Sequence, residues 1–258
     1  MTSRGWLRVV GIGPGPAQWI TPEVQAVLTE ASDVFGYHSY LDRLAPVGRQ
    51  ELHPSDNGQE LQRARRALEL ALGGARVAIV SGGDPGVFAM AAAVFEVLER
   101  APAAWRALDI SVLPGVTAML AAAARLGAPL GNDFCAINLS DNLKPWSVIA
   151  TRLRLAAQAD FAIALYNPRS RARPDQLQHA FELLRSERPE RGAQTWVAFA
   201  RAVGRPDEDL SITTLAAADP DRVDMRTLVL IGATGTRCIE RPNGQPWLYC
   251  PRHIDEAR

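Results

Sequence analysis

The sequence predicts an α/β protein of two domains with mixed, largely parallel sheets, and three observations carry that prediction. Short apolar runs alternate with amphipathic stretches along the whole chain, the pattern of strand–helix–strand units. Four of the runs end in glycine- or proline-broken turns: Gly11-Ile-Gly-Pro-Gly-Pro16, Ser81-Gly-Gly-Asp-Pro-Gly86, Leu113-Pro-Gly-Val-Thr117 and Tyr166-Asn-Pro168. Such turns at carboxyl ends of strands are where open α/β sheets take ligands, and glycine there lets main-chain amides come close. Finally, 258 residues with a 47% hydrophobic fraction supply enough apolar surface for two modest cores.

The elements follow in order. Leu7 to Ile12 is an apolar strand, and Thr21-Pro-Glu23 opens a helix with an N-cap, a first-turn proline and a dipole-compatible acid, running to Ala31. Val34 to Gly36 is a second strand, Gln59 to Leu72 an amphipathic helix and Arg76 to Val80 a third strand. Gly86 to Glu99 is helical, Asp109 to Leu113 a fourth strand and Val116 to Leu126 an alanine-rich helix. The domain junction falls at the Pro114-Gly115 break, giving domains 1–113 and 114–241. In the second, Phe134 to Leu139, Phe161 to Leu165, Thr195 to Ala200, Leu210 to Thr214 and Thr227 to Ile231 are strands. Helices run from Lys144-Pro-Trp146 to Ala157 and from Asp175 to Glu187. Residues 242–258, rich in proline and polar groups, read as an extended C-terminal tail.

Charge and composition exclude several classes. A net charge of zero and a pI near 6.9 leave no positive field to hold nucleic acid or an anionic membrane surface. No apolar run approaches the roughly 20 residues that span a bilayer, so a cytoplasmic protein acting on a small molecule is expected. Cys135, Cys238 and Cys250 are scattered without a C-x-x-C pair, fitting reduced thiols rather than a disulfide framework or zinc site. The four histidines are dispersed in sequence, so no metal is expected. Lys144 is the only lysine and lies outside every glycine-rich loop, which removes a Walker A reading.

The first glycine loop superficially resembles a dinucleotide fingerprint, but its third glycine position is Pro16 and the helix opens only at Thr21. A pyrophosphate needs free amides at a helix start, and prolines have none, so nicotinamide binding is not expected. Asp84, among small residues at a strand end, either caps the next helix or accepts hydrogen bonds from a ribose or ammonium group. Pro114 to Ala118 reads either as a plain helix start or as a carboxylate site built on Thr117. Arg169, Arg171 and Arg173 follow Tyr166-Asn-Pro168 closely; they are a solvated turn unless the ligand is polyanionic.

Taken together, Val9 to Gly15, Ser81 to Met90, Pro114 to Ala118 and Leu228 to Gly232 resemble the tetrapyrrole methylase family, S-adenosylmethionine enzymes that modify uroporphyrinogen and the precorrins. The longer strings Asp133 to Ile149, Ala164 to Ser170 and Ala198 to Glu208 are similar to the branch acting on carbon 17 of precorrin-3B. The resemblance spans nearly the whole chain. It implies two α/β domains with S-adenosylmethionine in the cleft between them, and a homodimer. By motif position it implies a cofactor pocket lined by Pro14, Gly83, Asp84, Val87, Thr117, Ala118, Tyr166, Ala200 and Thr234. Gly232-Ala-Thr234 departs from the family's Gly-Asn-Ser, which leaves a main-chain contact at Ala233 but puts a side-chain contact there in doubt.

The implied reaction moves a methyl group to carbon 17 of precorrin-3B while the macrocycle contracts with extrusion of carbon 20, giving precorrin-4 on the aerobic route to cobalamin. Contraction requires a hydroxyl at carbon 20 to lose a proton, which calls for a base within hydrogen-bond reach. Asp141, or failing that Asp133, is expected in that role because both lie in the branch-specific string. Arg169 and Arg171 are expected to pair the substrate's carboxylates. Two alternatives stay open: the anaerobic counterpart acting on a cobalt-containing factor III, and a non-catalytic sensor of S-adenosylmethionine or a tetrapyrrole.

Overall fold

The computed structural model describes residues 5–44, 50–188, 192–242 and 244–253. The chain divides into two compact units, Met1–Ala118 and Met119–Arg258, so the division falls a few residues beyond the Pro114-Gly115 break.

The first unit is a five-stranded, all-parallel sheet in the order β3-β2-β4-β1-β5, formed by β1 (Trp6–Gly11), β2 (Asp33–Tyr37), β3 (Glu51–Ser55), β4 (Arg76–Ser81) and β5 (Asp109–Leu113). Alternation along the strands sorts two cores. Leu7, Val9, Val77 and Ile79 face α3 (Glu60–Leu72) and α4 (Met90–Arg100), which present Ala64, Leu68, Val94 and Val97. Val10, Ile12, Ala78 and Val80 face α1 (Pro22–Glu30), which presents Val24 and Leu28. The α1 start behaves as its sequence dictates: Thr21 Oγ1 accepts the amide of Val24 at 3.2 Å, with Pro22 inside the first turn.

Connectivity makes a crevice in this sheet. β1 passes its chain through α1 to β2 on one side of β4, whereas β4 passes its chain through α4 to β5 on the other side of β1. Because α1 and α4 pack on opposite faces of the sheet, the loops leaving the adjacent ends of β1 and β4 part to opposite faces, the arrangement in which open parallel sheets admit ligands.

One expectation needed revision here, and two elements were not foreseen. α4 starts at Met90, not Gly86; residues 82–89 are an open loop with Gly83 at φ +78° and Phe88 at φ +54°. β3 and the short α2 (His38–Leu41) carry no clear periodic signal. β3 is an outer strand, reads Glu-Leu-His-Pro-Ser, and tolerates Pro54 because one of its sides has no neighbour.

The second unit has a five-stranded sheet in the order β10-β9-β11-β8-β7, from β7 (Phe134–Asn138), β8 (Ala162–Tyr166), β9 (Trp196–Arg201), β10 (Asp209–Thr214) and β11 (Thr227–Ile231). Only β7 and β8 are parallel neighbours; β11 runs antiparallel between β8 and β9, and β10 antiparallel to β9. Parallel pairing thus dominates the first unit but not this sheet. The reason is connection length: β9 reaches β10 through residues 202–208, too few for a helical crossover. α6 (Trp146–Gln158) and α7 (Gln176–Glu187) cover one face, burying Ile149, Leu153, Leu177 and Phe181 against Ile163, Leu165, Val197 and Val229. α5 (Ala118–Leu126) begins at the division between the units.

The C-terminal segment is not simply extended. β13 (Trp247–Tyr249) pairs antiparallel with β12 (Arg237–Ile239) and parallel with β6 (Gly127–Ala128), and Leu248 is fully buried. Residues 243 and 254–258 of the expected tail lie outside the described residues. Among the described residues, no helix is long and apolar enough to cross a membrane.

Candidate functional site

In the first unit, three glycine loops meet at the carboxyl ends of β4, β1 and β5. A Cβ on Gly11 would stand 2.6 Å from the Gly83 carbonyl oxygen and 2.7 Å from the Gly115 nitrogen; one on Gly115 would collide with the same Gly83 oxygen and with Gly11. Backbone therefore packs on backbone, which only glycine allows. Hydrogen bonds fix the arrangement: the Ile12 amide donates to Ser81 O at 3.0 Å and the Gly13 amide to Gly83 O at 3.2 Å. Asp84 completes it. Its Oδ1 accepts from the Gly86 amide at 2.8 Å and its Oδ2 from the Gly115 amide at 3.0 Å.

Asp84 is thus a tie between the β4 and β5 loops. It does not cap α4, whose first amide, Met90 N, donates to Ser81 Oγ at 3.3 Å instead. Pro14, Gly83, Asp84, Val87 and Thr117 lie on the loops of these three neighbouring strands, and Ala118 opens α5 directly after the third. Thr117 is buried, whereas Pro14, Val87 and Ala118 are half-buried.

In the second unit, β8 and β9 point the same way, so Tyr166 and Ala200 lie at the same end of the sheet. The Tyr166 hydroxyl accepts the Met119 amide at 3.1 Å, in the first turn of α5. Beside it, Asn138 Oδ1 accepts from the Asn167 side-chain amide at 3.1 Å and from the Ser140 amide at 2.9 Å. Asn167 has φ +51°, a left-handed turn directly after the strand. Asp141 follows on: its Oδ2 accepts from Gln176 Nε2 at 3.2 Å, and its Oδ1 lies 4.0 Å from the Nε of the buried Arg173.

Two expected site residues do not join this group. Thr234 follows β11, and an antiparallel strand ends where its neighbours begin. Its amide and hydroxyl both donate to Asp160 Oδ1 at 2.9 Å, at the amino end of β8. The five residues of β8 put that point about 17 Å from Tyr166. Asp133 precedes β7, and its carbonyl takes the amide of Ala162 at 3.2 Å. It belongs to the same far end, across the length of β7 from Asp141. The branch-specific string holds both acids, but a strand separates them.

The arginines also sort. Arg169 is committed to the 220–222 turn, with Nη1 2.6 Å from Asp221 Oδ1 and 3.3 Å from Pro220 O. Arg171 is exposed at the tip of a tight turn closed by reciprocal Ser170 and Arg173 amide–carbonyl bonds. Arg173 is the structural member of the three.

Among the described residues one cluster has metal-ligand chemistry: Asp33, Glu51 and His53 bring one ligand atom each within 4.8 Å of one another. His53 Nε2 already lies 2.8 Å from Asp33 Oδ1 and its ring stacks on Phe35 at 4.2 Å, contacts that fasten the outer strand β3 to β2.

The family of tetrapyrrole (corrin/porphyrin) methylases matches residues 7–219, a span that contains all three glycine loops and the Asn138–Gln176 group. The chain belongs to the tetrapyrrole methylases. A precorrin-3B C(17)-methyltransferase of a Sinorhizobium species is 57% identical over 249 residues, covering 96% of both chains. A probable cobalt-factor III C(17)-methyltransferase of Salmonella typhimurium is 42% identical over 229 residues, 88% of this chain and 92% of that one. Among solved structures, the methyltransferase CobJ superposes with a TM-score of 0.89 at 52% identity, over 96% of this chain and 100% of that one.

Several residues of this methylase gave no sequence signal. Arg43 donates from Nη2 to the carbonyls of Gly15 at 2.7 Å and Gly13 at 2.9 Å, and more distantly to Ile12 at 3.4 Å. Gln176 reaches Asp141 from the first turn of α7. Arg188, buried, donates to the carbonyls of Ala157, Phe161 and Gly232. Burial pushes its pKa down while Asp160, and then Cys135, oppose the shift. All three act on distant backbone or side chains, which no local pattern encodes.

Proposed function

We propose that this protein is a cytoplasmic, homodimeric enzyme that methylates carbon 17 of precorrin-3B from S-adenosylmethionine and contracts the macrocycle to precorrin-4. The observation that carries the reading is the cradle of Gly11, Gly83 and Gly115 at the sheet's switch point, in a chain 57% identical to a precorrin-3B C(17)-methyltransferase. The cradle suits the donor. It offers main-chain groups and little side-chain bulk, and a Cβ at Gly11 or Gly115 would collide with the backbone that shapes it. S-adenosylmethionine supplies an electrophilic methyl group on a sulfonium.

The chain's own residues position and exclude. Pro14, Gly83, Asp84, Val87, Thr117 and Ala118 hold the donor, and the family's motif pattern adds Tyr166 and Ala200. Alignment of the reacting atoms is the main catalytic device, an effect that can reach about 7 to 11 kcal/mol. Asp141 is the base for the carbon-20 hydroxyl, held by Gln176 and Arg173 with its side chain about a third exposed. Arg171, exposed and outside any ion pair among the described residues, meets a substrate carboxylate. Arg169 contributes only if Asp221 releases it.

The decisive experiment is incubation with precorrin-3B and isotopically labelled S-adenosylmethionine, with the labelled carbon located by NMR and the product mass measured. Label at carbon 17 in a ring-contracted product supports the reading. Turnover only with cobalt-loaded substrate would move the protein to the cobalt-factor III reaction, and uptake of ligands without S-adenosylhomocysteine release would make it a sensor.

A further inference from the structure

Resting on the reading just given, we infer that Arg43 is a positioning residue for the donor: it sets the shape of the first glycine loop and through it the affinity for S-adenosylmethionine. Arg43 follows α2 at the end of β2, a strand that β4 separates from β1. Its guanidinium nevertheless reaches the β1 loop and gathers the carbonyls of Gly13 and Gly15 at 2.9 and 2.7 Å, with Ile12 at the margin. Carbonyl oxygens converging on one point repel one another, and a cation at that point turns the repulsion into charge-assisted hydrogen bonds.

The consequence for the loop's donors follows by elimination. Pro14 and Pro16 have no N–H, and the amides of Ile12 and Gly13 are spent on Ser81 and Gly83. Gly15 keeps the one amide of this loop that has no partner among the described residues. Its carbonyl makes the shortest of the Arg43 contacts, so the guanidinium fixes the peptide plane on one side of Gly15 and thereby the course of the loop. The same segment braces the opposite loop: the Tyr40 ring lies where a Cβ on Gly82 would be 2.6 Å from Cε1. The 38–44 segment therefore touches both loops that flank the β1–β4 crevice, without belonging to either.

The test compares full-length wild type, Arg43→Gln and Arg43→Lys by calorimetric titration with S-adenosylhomocysteine and by steady-state kinetics in S-adenosylmethionine. Arg43→Gln should raise both the Kd and the KM about tenfold or more, with kcat at saturating donor held within about twofold. Arg43→Lys, which keeps the charge but not the planar fork, should fall between. An Arg43→Gln protein that binds like wild type, or one that loses kcat with an unchanged KM, overturns the inference. Should the Gln variant fail to fold, the Lys variant carries the same comparison: a wild-type Kd in it is the overturning result. A wild type that takes up no S-adenosylhomocysteine overturns the proposed function itself, and is told apart because no variant is needed to see it.

Discussion

Gly11→Ala tests whether the three-loop cradle is set by backbone contact. The added methyl would meet the Gly83 oxygen at 2.6 Å, the Gly115 nitrogen at 2.7 Å and the Gly115 Cα at 2.8 Å. All three are main-chain atoms, so no side chain can swing aside. β1 cannot shift either, because it is hydrogen-bonded to β4 on one side and β5 on the other. Overpacking of this kind costs about 1 to 3 kcal/mol. For a chain of this size each kcal/mol lowers Tm by about 2 to 4 °C, so a fall of about 2 to 12 °C is expected. The assay is thermal unfolding of Gly11→Ala beside Gly235→Ala, whose new methyl would have Pro251 Cδ at 3.9 Å as its nearest neighbour. S-adenosylhomocysteine titration of the same proteins should show weaker binding only in the first. A Gly11→Ala protein that melts with Gly235→Ala and binds like wild type would refute the argument that these glycines are there for contact.

Thr234→Ala should leave S-adenosylhomocysteine affinity unchanged, because its amide and hydroxyl are bonded to Asp160 away from Tyr166; a large rise in Kd would return it to the pocket. Asp141→Asn keeps the size of the side chain and should slow ring contraction by about 10² to 10⁴. Product formed at the wild-type rate would remove Asp141 as base. Burial raises the pKa of the Cys135 thiol, against a smaller opposing effect of Arg188, so its alkylation rate in the native protein should climb at higher pH than in the urea-unfolded chain. Coincident pH–rate curves for the two states would show that the thiol is not buried as described.

Much of this was legible in the sequence, for identifiable reasons. The central parallel strands of the first unit, β1 and β4, are largely apolar, as strands covered on both faces must be, and Val77 to Val80 show it plainly. The glycine loops were legible because their close backbone packing requires the absence of a side chain, a negative that the sequence records directly. Strand direction was not. Leu228 to Ile231 reads as an apolar strand in either orientation, and its antiparallel course is what takes Thr234 to the far end of the sheet. Likewise Asp133 and Asp141 share one motif, yet β7 between them assigns each to a different end. Arg43 and Gln176 act across sequence separations of about 30 residues on atoms that a linear reading cannot pair with them. The proline and polar residues after Arg241 concealed β13, which is too short to show alternation.

That last strand has a bearing on synthesis. β6 is laid down early in the second unit, yet its partner β13 is the last of the described strands to be made. Until then the hydrogen-bonding groups of Gly127 and Ala128 await a neighbour, and the socket for Leu248 stays open. A nascent chain therefore cannot finish this unit until Leu248 has been made, and a shortened product ending ahead of Trp247 would carry an unzipped sheet border prone to pairing with other chains.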